Sequence, residues 1–107
     1  VFVFEKTAPA VTFQDKTPNG RTCIKAPDAE KPSGQWNTVE LYCHGDTCVH
    51  VMNGLVNLVV TRSRHLVGGQ VVPLTKGKIQ IQSEGAEVFY RKLEIRPIQT
   101  IPAHLLK

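Results

Sequence analysis

Apolar and polar residues alternate along much of the chain. Over residues 78–83, Ile79 and Ile81 fall on one side of an extended backbone, and Lys78, Gln80 and Gln82 fall on the other. That is the two-residue period of a half-buried strand. Runs of Val, Ile, Thr, Phe and Tyr bounded by turn residues predict strands over 1–5, 11–15, 21–25, 36–44, 47–52, 55–61, 78–83 and 86–96. Turn signals separate them at Pro18-Asn19-Gly20, Gly45-Asp46, Asn53-Gly54 and Glu84-Gly85. Asn53-Gly54 is the sharpest, because a two-residue type I′ hairpin needs positive φ at both central positions. Residues 26–35 hold two prolines, a glycine and a serine and read as a loop, and residues 62–77 are less regular.

Prolines exclude long helices. One inside a helix costs about 3 kcal/mol, and they stand at positions 9, 18, 27, 32, 73, 97 and 102. Only the tail over 102–107 suits a short helical turn. The pattern therefore predicts an all-β, antiparallel sandwich or barrel. No βαβ unit and no internal repeat is evident. The expected core is Val39, Leu41, Val49, Val51, Leu58, Ile79, Ile81, Val88, Leu93 and Ile95.

Composition narrows the partners. The 107 residues are the length of about one domain. Thirteen Lys+Arg against nine Asp+Glu give a net charge of +4. These charges are scattered, so no basic cluster suited to nucleic acid is present. The longest apolar runs, such as 55–60, fall far short of the roughly 20 residues that span a bilayer. Val1 opens a strand-like pattern without a charged leader, so no signal peptide is expected. The absent initiator Met suggests a processed or trimmed chain. Cys23, Cys43 and Cys48 have no zinc-ligand spacing. If Gly45-Asp46 form a two-residue loop, Cys43 faces Cys48 at a non-hydrogen-bonded pair, where side chains lie closest. A cross-strand disulfide and two free, packed thiols both fit that position.

Three ordered stretches resemble a known family. Ser33-Gly34-Gln35-Trp36-Asn37-Thr38-Val39-Glu40-Leu41 is similar to the "GEWN-T-E-I" strand of the 3-keto-disaccharide hydrolase domain. His50-Val51-Met52-Asn53-Gly54 resembles its "H-x-L-N-G" hairpin, and residues 77–91 resemble its "G-x-I-x-L-Q-x-x-G-x-x-V-x-F-R-N-I" ending. The resemblance implies a concanavalin-like jelly roll of two curved sheets, in a periplasmic or secreted bacterial protein that handles carbohydrate. The family domain is roughly twice as long, and its acidic "E-x-Q-I" strand has no counterpart here. Residues 1–97 are thus expected to form the C-terminal half of such a domain, followed by a tail over 98–107. The implied partner is the missing N-terminal half or another copy of the chain, and an isolated monomer is expected to be unstable. Many members carry His where Glu84 stands and Asn where Lys92 stands.

The implied chemistry is cleavage of a 3-keto-glycoside. A ketone at C3 acidifies the C2 hydrogen, a base removes it, and the enolate expels the glycosidic oxygen before water adds. Such a site needs a base, an acid or a divalent metal ion at the enolate oxygen, and polar groups to grip the hydroxyls. His50, Glu84 and Glu40 are the catalytic candidates, and Gln82, Arg91 and Trp36 the substrate-binding ones. Each also has an ordinary structural reading: a solvated carboxylate for Glu40 and Glu84, a satisfied core imidazole for His50, an exposed amide for Gln82. For Arg91 it is an ion pair, and for Trp36 a core anchor. No set of metal ligands is expected among these residues. The alternative is a non-catalytic, lectin-like module, with an adhesion domain a weaker rival. An ordinary glycosidase is disfavoured because no E-x-D-x-x-E pattern occurs.

Overall fold

A computed structural model describes residues 2–6, 12–14, 22–24 and 27–106. Its strands are β1 (Phe2–Lys6), β2 (Thr12–Gln14), β3 (Thr22–Ile24), β4 (Val39–His44), β5 (Thr47–Met52), β6 (Leu55–Val67) and β7 (Gln70–Pro73). A short 3-10 turn, η1 (Ala103–Leu106), is the one helical element among the described residues. Five strands make an antiparallel sheet of order β1-β6-β5-β4, with β7 also paired to β6, while β2 and β3 pair separately. The protein is all-β and antiparallel, as the alternation predicts. The predicted turn at 18–20 lies outside the described residues.

The two central hairpins follow directly from their turns. His44 pairs with Thr47 and Cys43 with Cys48 across Gly45-Asp46, and Met52 pairs with Leu55 across Asn53-Gly54. Asn53 and Gly54 have φ of 51° and 83°, the positive pair that a type I′ turn demands. In β5–β6 the register shifts between His50 and Val51, whose partners are Leu58 and Val56. Asn57 is the extra residue of this bulge, and it is buried.

Strand β6 overruns its expected end. The pattern predicts a strand over 55–61, yet the strand continues to Val67, turns at Gly68-Gly69 and returns as β7. A second irregularity hides the continuation. Arg62 has φ 53°, and the pairing with β1 skips between Val3 and Glu5. A bulge reverses the faces of the residues beyond it, so a fixed two-residue period loses phase there. Ser63 follows Arg62: its N–H donates to the Asp46 carbonyl (3.1 Å) and its carbonyl accepts from the Leu74 N–H (2.8 Å).

Two predicted strands are corrected. Residues 78–83 and 86–96 join no ladder among the described residues, and 36–38 lie outside β4. Strand-forming side chains stabilise an extended backbone by packing across a ladder; where no neighbour pairs, alternation alone does not make a strand. Gly85 and Lys92 also have positive φ, 71° and 54°, which interrupts the extended run. Asn, which the family resemblance leads one to expect at this position, tolerates that region better than Lys.

The core is correspondingly different. Val49, Val51, Val59, Ile101 and Leu105 are buried together, with Tyr42 and Val56 packed on them. Of the expected core, Val49 and Val51 are buried and Leu58 is half-buried, whereas Val39, Leu41, Ile79, Ile81, Val88, Leu93 and Ile95 are exposed. The register explains the split in β4: Tyr42 pairs with Val49 and Glu40 with Val51, so Val39 and Leu41 face the other side. Residues 101–106 close the core as the helical turn brings Ile101 and Leu105 onto the sheet.

One polar clasp ties the loop before β4 to the β5–β6 turn. The Asn53 side chain accepts from the Thr38 N–H (2.9 Å) and donates to the Ala29 carbonyl (2.7 Å) and to Asn37 Oδ1 (2.8 Å). Asn37 Oδ1 also accepts from the Lys31 N–H (2.8 Å), and the Asn53 N–H donates to the Thr38 carbonyl (2.8 Å). Asn53→Gly keeps the positive φ but removes the side-chain bonds, so urea unfolding is expected to show a loss of about 1–3 kcal/mol. Ile95→Ala, at an 82% exposed position, is expected to stay within about 0.5 kcal/mol of the parent. Equal effects of the two substitutions would contradict this arrangement.

Candidate functional site

The sheet holds two of the six sequence-predicted residues. Glu40 lies on β4 and pairs with Val51, on the face of the buried valines. His50 lies on β5 opposite Leu41 and Leu58, so it points to the other face. The register therefore does not bring Glu40 and His50 to one sugar. Glu40 instead holds Tyr42, two residues along the same face: the Tyr42 hydroxyl donates to Glu40 Oε1 at 3.0 Å. That bond, and the carboxylate charge beside it, raise the Tyr42 hydroxyl above its ordinary pKa, while Arg96 pulls the other way. Tyr42 stays a proton donor, a role that sequence reading missed. Its signal was an aromatic two places from an acid on a predicted strand.

The other four residues fall in two contacts outside the strands, Gln82 with Glu84 and Arg91 with Trp36. Ser83 Oγ donates to the Ala86 carbonyl (2.6 Å) across Gly85, and the chain turns back so that the Tyr90 hydroxyl donates to the Gln82 carbonyl (2.5 Å). Gln82 Nε2 donates to Glu84 Oε2 at 2.9 Å, fixing one carboxylate oxygen. Next to Tyr90, the Arg91 guanidinium lies over the Trp36 ring, 3.9 Å from its centroid. Such a cation–π contact contributes about 0.5–1 kcal/mol at an exposed site. Trp36 is exposed rather than a core anchor. The carboxylate–amide pair at the 83–86 turn and the cationic–aromatic pair of Arg91 and Trp36 are both open to solvent.

His50 is half-buried, and burial lowers its pKa from 6.5. It is therefore a neutral imidazole at neutral pH, able to accept a proton. Among the described residues, no three His, Cys, Asp or Glu side chains converge as a metal would require. No helix of the described residues is long and apolar enough to cross a membrane.

Residues 5–96 match the family model described as the 3-keto-alpha-glucoside-1,2-lyase-like domain. No curated protein and no solved structure matches the chain.

Burial of His50 has a pH signature. Below about pH 6.5 the unfolded imidazole takes up a proton before the folded one does. Stability is thus full above that value and falls as pH drops toward the folded pKa. An NMR titration of the imidazole is expected to place His50 below 6.5. His50→Gln is expected to flatten the acid limb of stability between that midpoint and pH 6.5. A His50 midpoint at or above the ordinary value would contradict its placement.

Proposed function

The chain belongs to the 3-keto-alpha-glucoside-1,2-lyase-like domain family, and from that membership we propose that the domain cleaves the glycosidic bond of 3-keto-glycosides. The family match over residues 5–96 carries this reading. The polar cluster around residues 82–91 supplies side chains suited to the chemistry.

In this reading Glu84 takes the C2 proton. Its fixed oxygen is hydrogen-bonded to Gln82, and the other oxygen is free to act as base. The C2–H electron pair moves into the enolate of the C3 ketone and then forms the C1–C2 double bond. The C1–O bond breaks, and the departing oxygen takes a proton to leave as an alcohol. Water then adds at C1 and a proton returns to C2, so the sum is hydrolysis. The relatives' His at this position is also a base of suitable strength. Trp36 and Arg91 offer a flat face for the sugar ring and donors for its hydroxyls. His50 and Glu40 remain the other base candidates, each on its own face of the sheet.

The proposal extends to an exported location, periplasmic or secreted, and to a jelly roll completed by further strands. The exposed side chains of Val39, Leu41, Ile79, Ile81, Val88, Leu93 and Ile95 support that completion. They form the kind of surface that an N-terminal half of the domain, or a second copy, would cover.

The test uses the full-length protein with 3-keto-glucosides and with the parent disaccharides in deuterated water, read by NMR. Turnover of the keto-sugars alone, with deuterium entering at C2, is expected. Glu84→Gln is expected to lower kcat by about 10²–10⁴-fold, and Trp36→Ala to raise KM with a smaller effect on kcat. Turnover of the unoxidised sugars alone would overturn the reading, and binding without turnover would make the domain a lectin-like module.

A further inference from the structure

We propose that Cys43 and Cys48 form a reversible thiol–disulfide couple that locks the β4–β5 hairpin when the protein meets an external disulfide. Geometry carries the proposal. The two residues are register partners one step from a two-residue turn. Both are free thiols, and their sulfurs lie 3.2 Å apart. In a hairpin closed by His44 and Thr47, the next pair inward is non-hydrogen-bonded, with Cα atoms about 4.5 Å apart. That is close to the lower limit of about 4.4 Å for a disulfide. The bond can close with little backbone movement, but it closes in a cramped geometry. Cramped, exposed disulfides are the readily reduced ones, so the couple is built to cycle rather than to staple.

The two sulfurs differ in access, which sets the order of events. Cys43 is exposed and Cys48 half-buried. Burial, with the hydrogen bond that the Cys48 thiol makes to the Cys43 sulfur, pushes the Cys48 thiol up to about 12. Cys43, the exposed sulfur, is the one that meets the incoming disulfide R–S–S–R and attacks it, its proton passing to solvent. The S–S bond breaks, one half leaves as a thiolate and takes up a proton, and the other remains on Cys43 as a mixed disulfide. Cys43 can then no longer hold the Cys48 proton. Cys48 loses it and attacks the Cys43 sulfur, releasing the second half as R–SH. The external disulfide gains two electrons and two protons, and the Cys43–Cys48 pair gives up the same. A small dithiol reverses both steps.

The hairpin has a structural stake in this bond. The Asp46 carbonyl, within the closed loop, accepts from the Ser63 N–H just where β6 leaves β5. His50 lies two residues along from Cys48 on the same face. Fixing the loop thus fixes an anchor of β6 as well as the start of the strand that carries His50.

The test treats the reduced protein with oxidised glutathione, quenches with an alkylating agent and maps tryptic peptides. Lys25 and Arg62 bound a peptide that carries Cys43 and Cys48, and Cys23 falls in a different one. The wild-type 26–62 peptide is expected to lose two hydrogens, resist alkylation and regain both thiols with dithiothreitol. Cys48→Ser is expected to keep a glutathione adduct on Cys43. Cys43→Ser is expected to react at Cys48 at least about tenfold more slowly, because the thiolate is the nucleophile. A lasting glutathione adduct on wild-type Cys43 with Cys48 still alkylated, or a bond from either to Cys23, would overturn the proposal. The wild-type map decides the matter even where a serine variant fails to fold, and it is independent of any activity on sugars.

Discussion

Backbone pairing on both edges of β6 sets the rest of the fold. A strand of 13 residues presents N–H and C=O groups on two sides, and those buried in a sheet must find partners. On one side β1 supplies them. On the other, β5 pairs with residues up to Val60 and β7 with residues from Arg64 onward. Between those partners stands Ser63, whose two backbone groups are met by Asp46 and Leu74. The relay from β5 to β7 works because the β4–β5 turn lies beside the place where β7 ends. A change in that turn would therefore be felt in the centre of the sheet, which is why the thiol pair beside it matters.

The two bulges in β6 aim its side chains. At the first, the extra Asn57 lets Val56 and Val59 face the same core, three residues apart rather than two or four. At the second, Arg62 takes a positive φ, and the strand continues past the point where simple alternation ends. Bulges raise local twist and re-aim side chains, and both lie in the strand that bears the greatest share of pairing. The Asn53 clasp works beside them. It holds the loop over residues 29–38 to the second hairpin, so Trp36 reaches its place from an anchored segment.

Much of the local structure was legible in the residues. Asn53-Gly54 and Gly45-Asp46 dictate their turns, and the Cys43–Cys48 pairing follows from loop length alone. The link between Asn53 and Asn37 was not legible, although both belong to the stretches that carry the family resemblance. Their bond joins positions 16 residues apart, and no local pattern encodes that reach. Tyr42 escaped notice because a phenol on a strand ordinarily reads as packing. The segments over 78–83 and 86–96 were misread for a general reason: they have the side chains of strands but no paired neighbour among the described residues. Of the candidate site, residue types were legible and groupings were not. Arg91 over Trp36 joins residues far apart in the chain, a meeting that no local pattern encodes.

The sequence by itself determined the class of the protein. Its prolines bar helices, its alternation demands strands, and its turn residues fix two hairpins, since each of these is a short-range steric or backbone requirement. Tertiary structure alone decided which alternating segments are paired, which face of β4 is buried, and that Ile101 and Leu105 complete the core. Those outcomes depend on which surfaces meet, and burial is a property of the pair in contact rather than of either residue.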